Sequence, residues 1–433
     1  MNNNLLKKLK QIINYLLYIC NLLNTNIMNI YDTVVIGAGP SGLSFCTTYT
    51  GKYLLVEMGK HINERDHNND KESLVGVGGA GLFSDGKYSF YPAGTKVWDL
   101  YNIENAYDNL TKDLKKYIEY IPKFTKKIES LQENYDVEEW KLKKYPCYYI
   151  PLKDRIKFIN DMCEKLDSSS TLYQHQVIEC KKNINDNIYL VTIKNLINNT
   201  IFTVKTKSII CAGGRFFPLF MGKLNKKELR TKYTKKIFRR IEYGVRIVSS
   251  KENKFMKKAN KDLLDPKFIK ECDGIEYRTF CWCLDAEIVL TNHLGIKTYS
   301  GRADCEPTGN SNFGFNVRIK KNNNNDYYVK KLIDIKPFEL PIDKIDELVN
   351  YYGNKMGKLL IDGLESLINK NPDLKHNTKV VGPTIEGVGY YPDIDENLKV
   401  IDENIYCIGD NSGIFRGIIP SMLSGYWLAN HLK

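Results

Sequence analysis

The run Val34-Val35-Ile36-Gly37-Ala38-Gly39-Pro40-Ser41-Gly42 constrains this chain more than any other segment. Three consecutive β-branched residues predict a strand buried on both faces, since a half-exposed strand would alternate with polar residues. Glycines at spacings of two and three follow at once, and a helix of small residues is predicted from about Ser41 to Tyr49. A second strand, Tyr53–Glu57, completes a strand–helix–strand start. In this context each glycine has a task. Gly37 permits a tight turn, Gly39 lets a pyrophosphate approach the backbone, and Gly42 lets helix and strand pack closely. With Ala38, Pro40 and Ser41 they form a turn whose helix end offers free N–H groups and partial positive charge. Glu57 stands twenty residues beyond Gly37, at the end of the second strand. A carboxylate there accepts hydrogen bonds from ribose hydroxyls and repels a 2′-phosphate. The start of the chain thus predicts a dinucleotide site, with NAD and FAD both open.

At 433 residues the chain suits two interlocked domains rather than one small core. Hydrophobic content of 42% and aromatic content of 12% are globular values, which excludes a disordered chain. The formal charge of +12 raises the question of a nucleic-acid partner. The excess is mostly lysine, is scattered, and forms no block of like charge, which argues against one. Eleven cysteines without paired spacing exclude a disulfide framework and fit a reducing, cytoplasmic compartment. Cys281-x-Cys283 has no second cluster to complete a zinc site, so no metal is expected. Residues 1–27 place Lys7, Lys8 and Lys10 before Ile12, Ile13, Leu16 and Leu17, with Asn14 and Asn21 interrupting. That segment is too short in apolar run for a transmembrane helix and reads as an amphipathic, dispensable leader. Met28, three residues before the first strand, is an alternative start of translation.

Further along, Gly76-Val-Gly78-Gly79-Ala-Gly81 opens a glycine-dense loop that ends in Asp85-Gly86-Lys87. Val97–Lys165 reads as helical and charged, with a break at Pro146 and Pro151. Leu172–Lys182, Ile188–Lys194 and Thr200–Cys211 read as three strands with polar turns, the last ending in Ala212-Gly213-Gly214. A strand-rich region covers Ile241–Ile335, including Tyr277–Leu290 and Phe313–Ile319, with Asn322–Asn325 as a turn between strands. A helix is predicted over Ile342–Asn369. The chain closes with a strand Ile405–Ile408, the turn Gly409-Asp410, and a helix from about Pro420 to Leu432.

That closing order of strand, Gly-Asp, loop and helix resembles the second flavin motif of the glutathione-reductase-type FAD superfamily. The resemblance selects FAD over NAD and implies that the Asp410 carboxylate binds the ribityl chain. It also implies that Gly409 lines the site, that Ser208–Gly214 with Gly213 is the internal strand-then-glycine motif, and that backbone at Val177 contacts the adenine. Gly78–Lys87, with Gly78 and Gly79 at the cofactor, Thr298–Arg302, and Gly413–Gly417, with Arg416, are similar to a poorly characterised FAD-dependent dehydrogenase subgroup. The similarity covers the flavin segments and hardly touches Val97–Lys165.

One fingerprint alone leaves no standard nicotinamide domain, and Cys46 stands without a partner near the first helix, which argues against a disulfide reductase. Electrons then come from a small organic substrate, or from NAD(P)H bound without its own Rossmann domain. The expected activity is an FAD-dependent dehydrogenase. The alternatives are an NAD(P)H-dependent flavin monooxygenase or reductase, and an escort-type binding protein on the same fold. Arg302, Cys281 and Cys283 are the catalytic candidates. On a regular strand the two thiols share a face, and a pair of small core residues is the competing reading. Arg302 and Arg416 suit an acidic substrate or reduced flavin. The expected fold is α/β: a Rossmann-like FAD-binding domain with parallel sheet and β-meander, plus a mixed α+β substrate domain. The FAD part takes 28–95, 170–222 and 380–433, and the substrate part 96–169 and 223–379.

Overall fold

The computed structural model describes residues 30–124, 132–134, 140–183, 186–221, 236–320 and 325–432. The expected leader, residues 1–27, lies outside them, as does Met28. The architecture is mixed α/β, with two large sheets and helices on one face of each.

The first sheet has seven strands. Ile30–Ile36 lies between Tyr53–Val56 and Ile201–Cys211 and is parallel to both. Ile405–Cys407 adds a further parallel strand beside Ile201–Cys211. The apolar run at its centre splits by the period of two. Val35, Leu55 and Ile210 face the helices Pro40–Cys46 and Ile418–His431, while Val34, Leu54 and Ile209 face the opposite core with Val177, Tyr189 and Val191. Both faces are covered, which is why the strand needs no polar alternation. Ile201–Cys211 serves two layers. Its first half pairs antiparallel with Ile188–Asn195, and its second half runs beside Ile30–Ile36. The expected strand Leu172–Lys182 is two strands, Thr171–Leu172 and His175–Asn183, because Gln174 takes a left-handed turn with φ of 55°.

The second sheet is eight-stranded and antiparallel. Its centre is Thr378–Pro392, Lys236–Ser250, Asn310–Ile319 and Ile275–Cys283, in that order. Its odd-numbered face buries Ile241, Tyr243, Phe315 and Val317 against Met356, Leu360 and Leu364 of the helix Leu348–Lys370. That helix begins later than predicted, since Ile342–Glu347 forms a 3-10 helix with Lys344 off helical geometry. The predicted strand Tyr277–Leu290 also divides. Cys281 and Asp285 both adopt left-handed φ, and Glu287–His293 leaves the sheet to pair with Ile296–Arg302. Asn325 starts a helix, Asn325–Ile333, rather than belonging to a turn between strands, and Asn322 lies outside the described residues. Among the described residues of Val97–Lys165 the α-helices are Ile103–Leu114 and Leu152–Cys163, with short strands Gln132–Asn134, Lys141–Lys143 and Cys147–Tyr149 between them. Among the described residues no helix is long and apolar enough to cross a membrane.

Candidate functional site

The first strand delivers the chain into the glycine turn. Gly37 has φ of 105°, and its N–H donates to Val56 O at 2.8 Å. A Cβ on Gly42 would stand 1.9 Å from Gly37 O, so this glycine lets the helix Pro40–Cys46 sit directly on the turn. Gly39 differs. Its backbone is ordinary, and the nearest atom a Cβ would meet is Gly79 Cα at 3.8 Å. What Gly39 provides is room. The loop Gly76–Gly81 closes over this room, tied by Gly78 N–H to Ala38 O at 2.9 Å. Buried Arg65 holds the loop in shape by donating to the carbonyls of Val77 at 2.7 Å and Gly79 at 3.1 Å. Pro40, Gly78, Gly81, Leu82, Ile418 and Met422 line a crevice there.

Glu57 has more partners than its sequence position announces. One carboxylate oxygen accepts from Ala38 N–H and the other from Gly59 N–H, each at 2.7 Å. It braces the turn and keeps lone pairs for a further donor. His175 N–H donates to Glu57 O, two residues before Val177, whose side chain is buried in the core. Gly213 packs against the other side of the turn, where a Cβ on Gly37 would come within 3.2 Å of its Cα.

The C-terminal motif arrives from the opposite end of the chain. Ile408 N–H donates to Cys211 O, and Gly409 turns with φ of 64°. A Cβ on Gly409 would lie 2.5 Å from Ser41 Oγ, so the two glycine motifs touch. Asp410 follows, half-buried, with its Oδ1 enclosed. Its Oδ2 lies 3.6 Å from Arg215 Nε and its Oδ1 3.9 Å from Arg240 Nη2, yet Oδ1 has no hydrogen-bond partner. Burial raises its carboxyl above the ordinary value, against Arg215 and Arg240. Asn411 Oδ1 is likewise buried and unpartnered, while its amide donates to Cys211 O.

Beside Asp410 lies a charged cluster that nothing in the linear spacing disclosed. Glu242 is buried among Arg318 at 3.1 Å, Arg240 at 3.2 Å, Arg416 at 3.5 Å and Arg278 at 3.6 Å. Although burial opposes ionisation, Arg416, Arg278 and Arg240 hold this carboxyl down at about 2. Glu386 pairs with Arg416 and, at 2.8 Å, with Arg215. The pairing follows from register, since Glu242 faces Arg318 across one strand pair and Arg318 faces Glu276 across the next. The only sequence trace is the alternation Arg240-x-Glu242 and Glu276-x-Arg278, which puts charge on the sheet face opposite the apolar core. Lys267 stands at the rim of this cluster. Burial and Arg278 draw its ammonium down to about 7, with Lys143 and Arg416 adding and Asp265 opposing.

No protein family matches this chain, and no curated protein does. Several solved structures are similar in part. The substrate-free form of the rebeccamycin biosynthetic enzyme REBC is 10% identical, with 93% of this chain and 63% of that one covered and a TM-score of 0.39. Native and K252c-bound RebC-10x is 8% identical over the same shares, with a TM-score of 0.35. OTEMO in complex with FAD and NADP is 18% identical, over 43% of this chain and 26% of that one, with a TM-score of 0.24. The chain spans about a quarter of the OTEMO chain. The likeness is distant and partial.

The remaining sequence candidates fall in two places. Arg416 joins the Glu242 cluster and donates to Glu386 O at 2.6 Å. Arg302 is away from it, paired with Glu287 at 3.0 Å and donating to His67 O, where it ties one hairpin to the loop after Arg65. Cys281 and Cys283 share the charged face of the second sheet, but beside Lys87, Asp85 and Arg246. Cys283 is buried and Cys281 half-buried, and neither belongs to the apolar cluster that holds Trp282 and Phe313. His293 ends the strand Glu287–His293 and stacks on Phe216. Burial pushes its imidazole down to about 4, which keeps it neutral.

Proposed function

We propose that this chain is an FAD-dependent oxidoreductase of dehydrogenase type, with its cofactor along the crevice between Gly37–Gly42 and Gly409-Asp410. One observation carries the reading: a buried carboxylate oxygen, Asp410 Oδ1, lacks a hydrogen-bond donor where the two glycine motifs touch. Leaving such an acceptor unmet costs about 1–3 kcal/mol, and a ligand hydroxyl removes that cost. Asn411 Oδ1 offers a second unmet acceptor, and the open space at Gly39 accommodates a close backbone approach. The residues present therefore fit FAD. In this reading Ala38, Pro40 and Ser41 of the turn meet the pyrophosphate, Glu57 and the backbone at Val177 meet the adenosine end, and Asp410 meets the ribityl hydroxyls. Gly78, Gly79, Gly213 and Gly409 form the glycine walls that admit it. The cofactor-binding part comprises 28–95, 170–222 and 380–433, with a Rossmann-like parallel sheet, and 96–169 and 223–379 carry the substrate side.

When bound, FAD supplies the two-electron acceptor chemistry. The chain's own residues then orient the substrate and exclude water. Arg278 Nε is buried without an acceptor, and the Lys267 ammonium lies over the Tyr145 ring, 4.9 Å from its centre. Together with Arg416 these cations favour a small organic acid as substrate, held by its carboxylate. NAD(P)H, without a second glycine turn, is read as a poor direct reductant.

The test begins with purified full-length protein. Acid precipitation is expected to release a yellow chromophore identified as FAD. Anaerobic stopped-flow against a panel of organic acids, NADH and NADPH is expected to find an acid that bleaches the flavin faster than either nicotinamide. Rapid bleaching by NADPH alone would replace the dehydrogenase with a monooxygenase or reductase. Colourless protein that FAD cannot reconstitute would leave only the escort-type binding protein.

A further inference from the structure

Cys281-Trp282-Cys283 sits where the second sheet loses its regular pairing. Phe280 pairs with Gly314 and Cys283 with Asn312, so three steps on one strand match two on the other. The extra residue forms a bulge, and Cys281 takes φ of 51°. Glycine normally fills that position, because a Cβ in the left-handed region costs roughly 1–2 kcal/mol. Strain held at a reactive side chain is a reason to look for its use. The bulge sorts the side chains. Trp282 stacks on Phe313 at 4.3 Å within the apolar face, while the sulfurs on either side turn to the charged face.

Both Sγ atoms and a carboxylate oxygen of Asp85 lie within 4.8 Å of one another. Gly301 makes the space, since a Cβ there would lie 2.6 Å from Cys283 Sγ. Two buried cations border the sulfurs. Lys87 donates to Trp282 O and stands 3.5 Å from Asp85 and 3.7 Å from Asp265. Arg246, 1% exposed, donates to Cys281 O at 2.9 Å and to Asn312 Oδ1, and its Nε meets no acceptor. Among the described residues no salt bridge joins Arg246 to a carboxylate, and Asp85 acts on it only at longer range. A buried guanidinium with no directly bonded carboxylate is a liability of several kcal/mol, and a thiolate beside it, together with Asp85, offsets that cost. The hydrogen bond from Cys281 holds the Cys283 thiol below its ordinary value against burial and Asp85, with Arg246 and Lys87 adding, while that same bond raises Cys281.

We propose that Cys281 and Cys283 are a redox-active dithiol that reduces disulfides. The pair carries one proton and one negative charge between its two sulfurs. The shared proton passes from Cys281 to Cys283, whose Sγ lies 3.8 Å from Cys281 O, and Cys281, the more accessible sulfur, then attacks a disulfide RSSR as the thiolate and releases RS⁻. Cys283 then displaces the second sulfur as RSH. The R–S–S–R bond breaks, the Cys281–Cys283 bond forms, two electrons pass to the substrate, and the shared proton leaves with the second thiol. A thiolate between two cations is the form that such exchange requires. The same two cations oppose a metal dication, although Asp85, Cys281 and Cys283 would offer it ligands.

The test uses the full chain equilibrated in mixtures of oxidised and reduced dithiothreitol, then alkylated under denaturing conditions and mapped by mass spectrometry. The expected result is an oxidised form in which Cys281 and Cys283 alone escape alkylation, as one disulfide. Arg246→Gln is expected to shift the midpoint to an oxidised-to-reduced ratio about tenfold lower, because it removes a charge that stabilises the reduced thiolate. Lys87→Met serves the same purpose if the arginine variant does not fold. Both cysteines alkylating fully at every ratio, a disulfide mapped to other cysteines, or stoichiometric zinc lost in Cys283→Ser would each overturn the proposal. None of these readouts depends on flavin content, so the FAD reading and the dithiol can fail separately.

Discussion

Asp410 holds one carboxylate oxygen, Oδ1, where water cannot serve it. Its two arginines stand at 3.6 and 3.9 Å, beyond hydrogen-bond reach, so attraction is present but one oxygen stays unmet. That makes Asp410 the residue whose replacement should act on the cofactor first. Asp410→Ala is expected to weaken FAD binding about ten- to a hundredfold, the worth of one charge-assisted hydrogen bond. Gly39→Val should do at least as much by filling the only glycine position on the turn that has space beside it. Flavin fluorescence quenching on titration of the apoprotein measures both. Parent-like affinity in the two variants together would show that the cofactor does not lie between these motifs. Glu57 teaches the opposite lesson, for its two oxygens already hold Ala38 and Gly59, and its loss would damage the turn as well as any ligand contact.

At the scale of elements, the crevice depends on how closely two helices pack. Pro40–Cys46 and Ile418–His431 cross with Gly425 at their contact, where a Cβ would lie 2.2 Å from Ser41 O and 3.0 Å from Phe45 N. The obstacle is backbone, so no side chain can swing aside. Gly425→Ala is expected to push the last helix outward, at a cost of about 1–3 kcal/mol. Since Gly409 meets Ser41 on the same helix, FAD content should fall with stability. Urea denaturation and flavin absorbance on the purified variant read both effects. An unchanged midpoint would mean that the helices are not in backbone contact there.

Across the whole molecule, the Glu242 cluster joins the second sheet to the C-terminal loop of the first. Arg240, Arg278 and Arg318 come from three neighbouring strands and Arg416 from the loop before the last helix. Removing the anion leaves buried guanidinium groups facing one another, so Glu242→Gln is expected to destabilise the fold by about 3–5 kcal/mol at neutral pH. The pH dependence has a definite sign. Glu242 titrates at about 2 in the fold against an ordinary 4.5, so its stabilisation is complete above 4.5 and disappears as pH falls toward 2. Chemical denaturation at stepped pH should therefore show the parent losing its advantage over Glu242→Gln across that window. Parallel curves for the two proteins would remove Glu242 from its assigned place.

What the sequence determined by itself is what short-range geometry can encode. Val34–Ile36, the turn at Gly37–Gly42 and the turn at Gly409-Asp410 were readable because a buried strand, a left-handed turn and a helix start each need particular residues within a few positions. Tertiary structure decided the rest. The arginines around Glu242 come from separate strands, and only strand register brings them to one carboxylate. The single predicted strand Tyr277–Leu290 breaks at Cys281 and Asp285, and the bulge that turns two thiols toward Arg246 exists only against the partner strand Asn310–Ile319. Asp85, Lys87 and Gly301 reach those sulfurs from distant segments. Periodicity along a chain says which face a residue takes. Which residue stands opposite is set by the pairing of strands, and that information is spread over the whole fold.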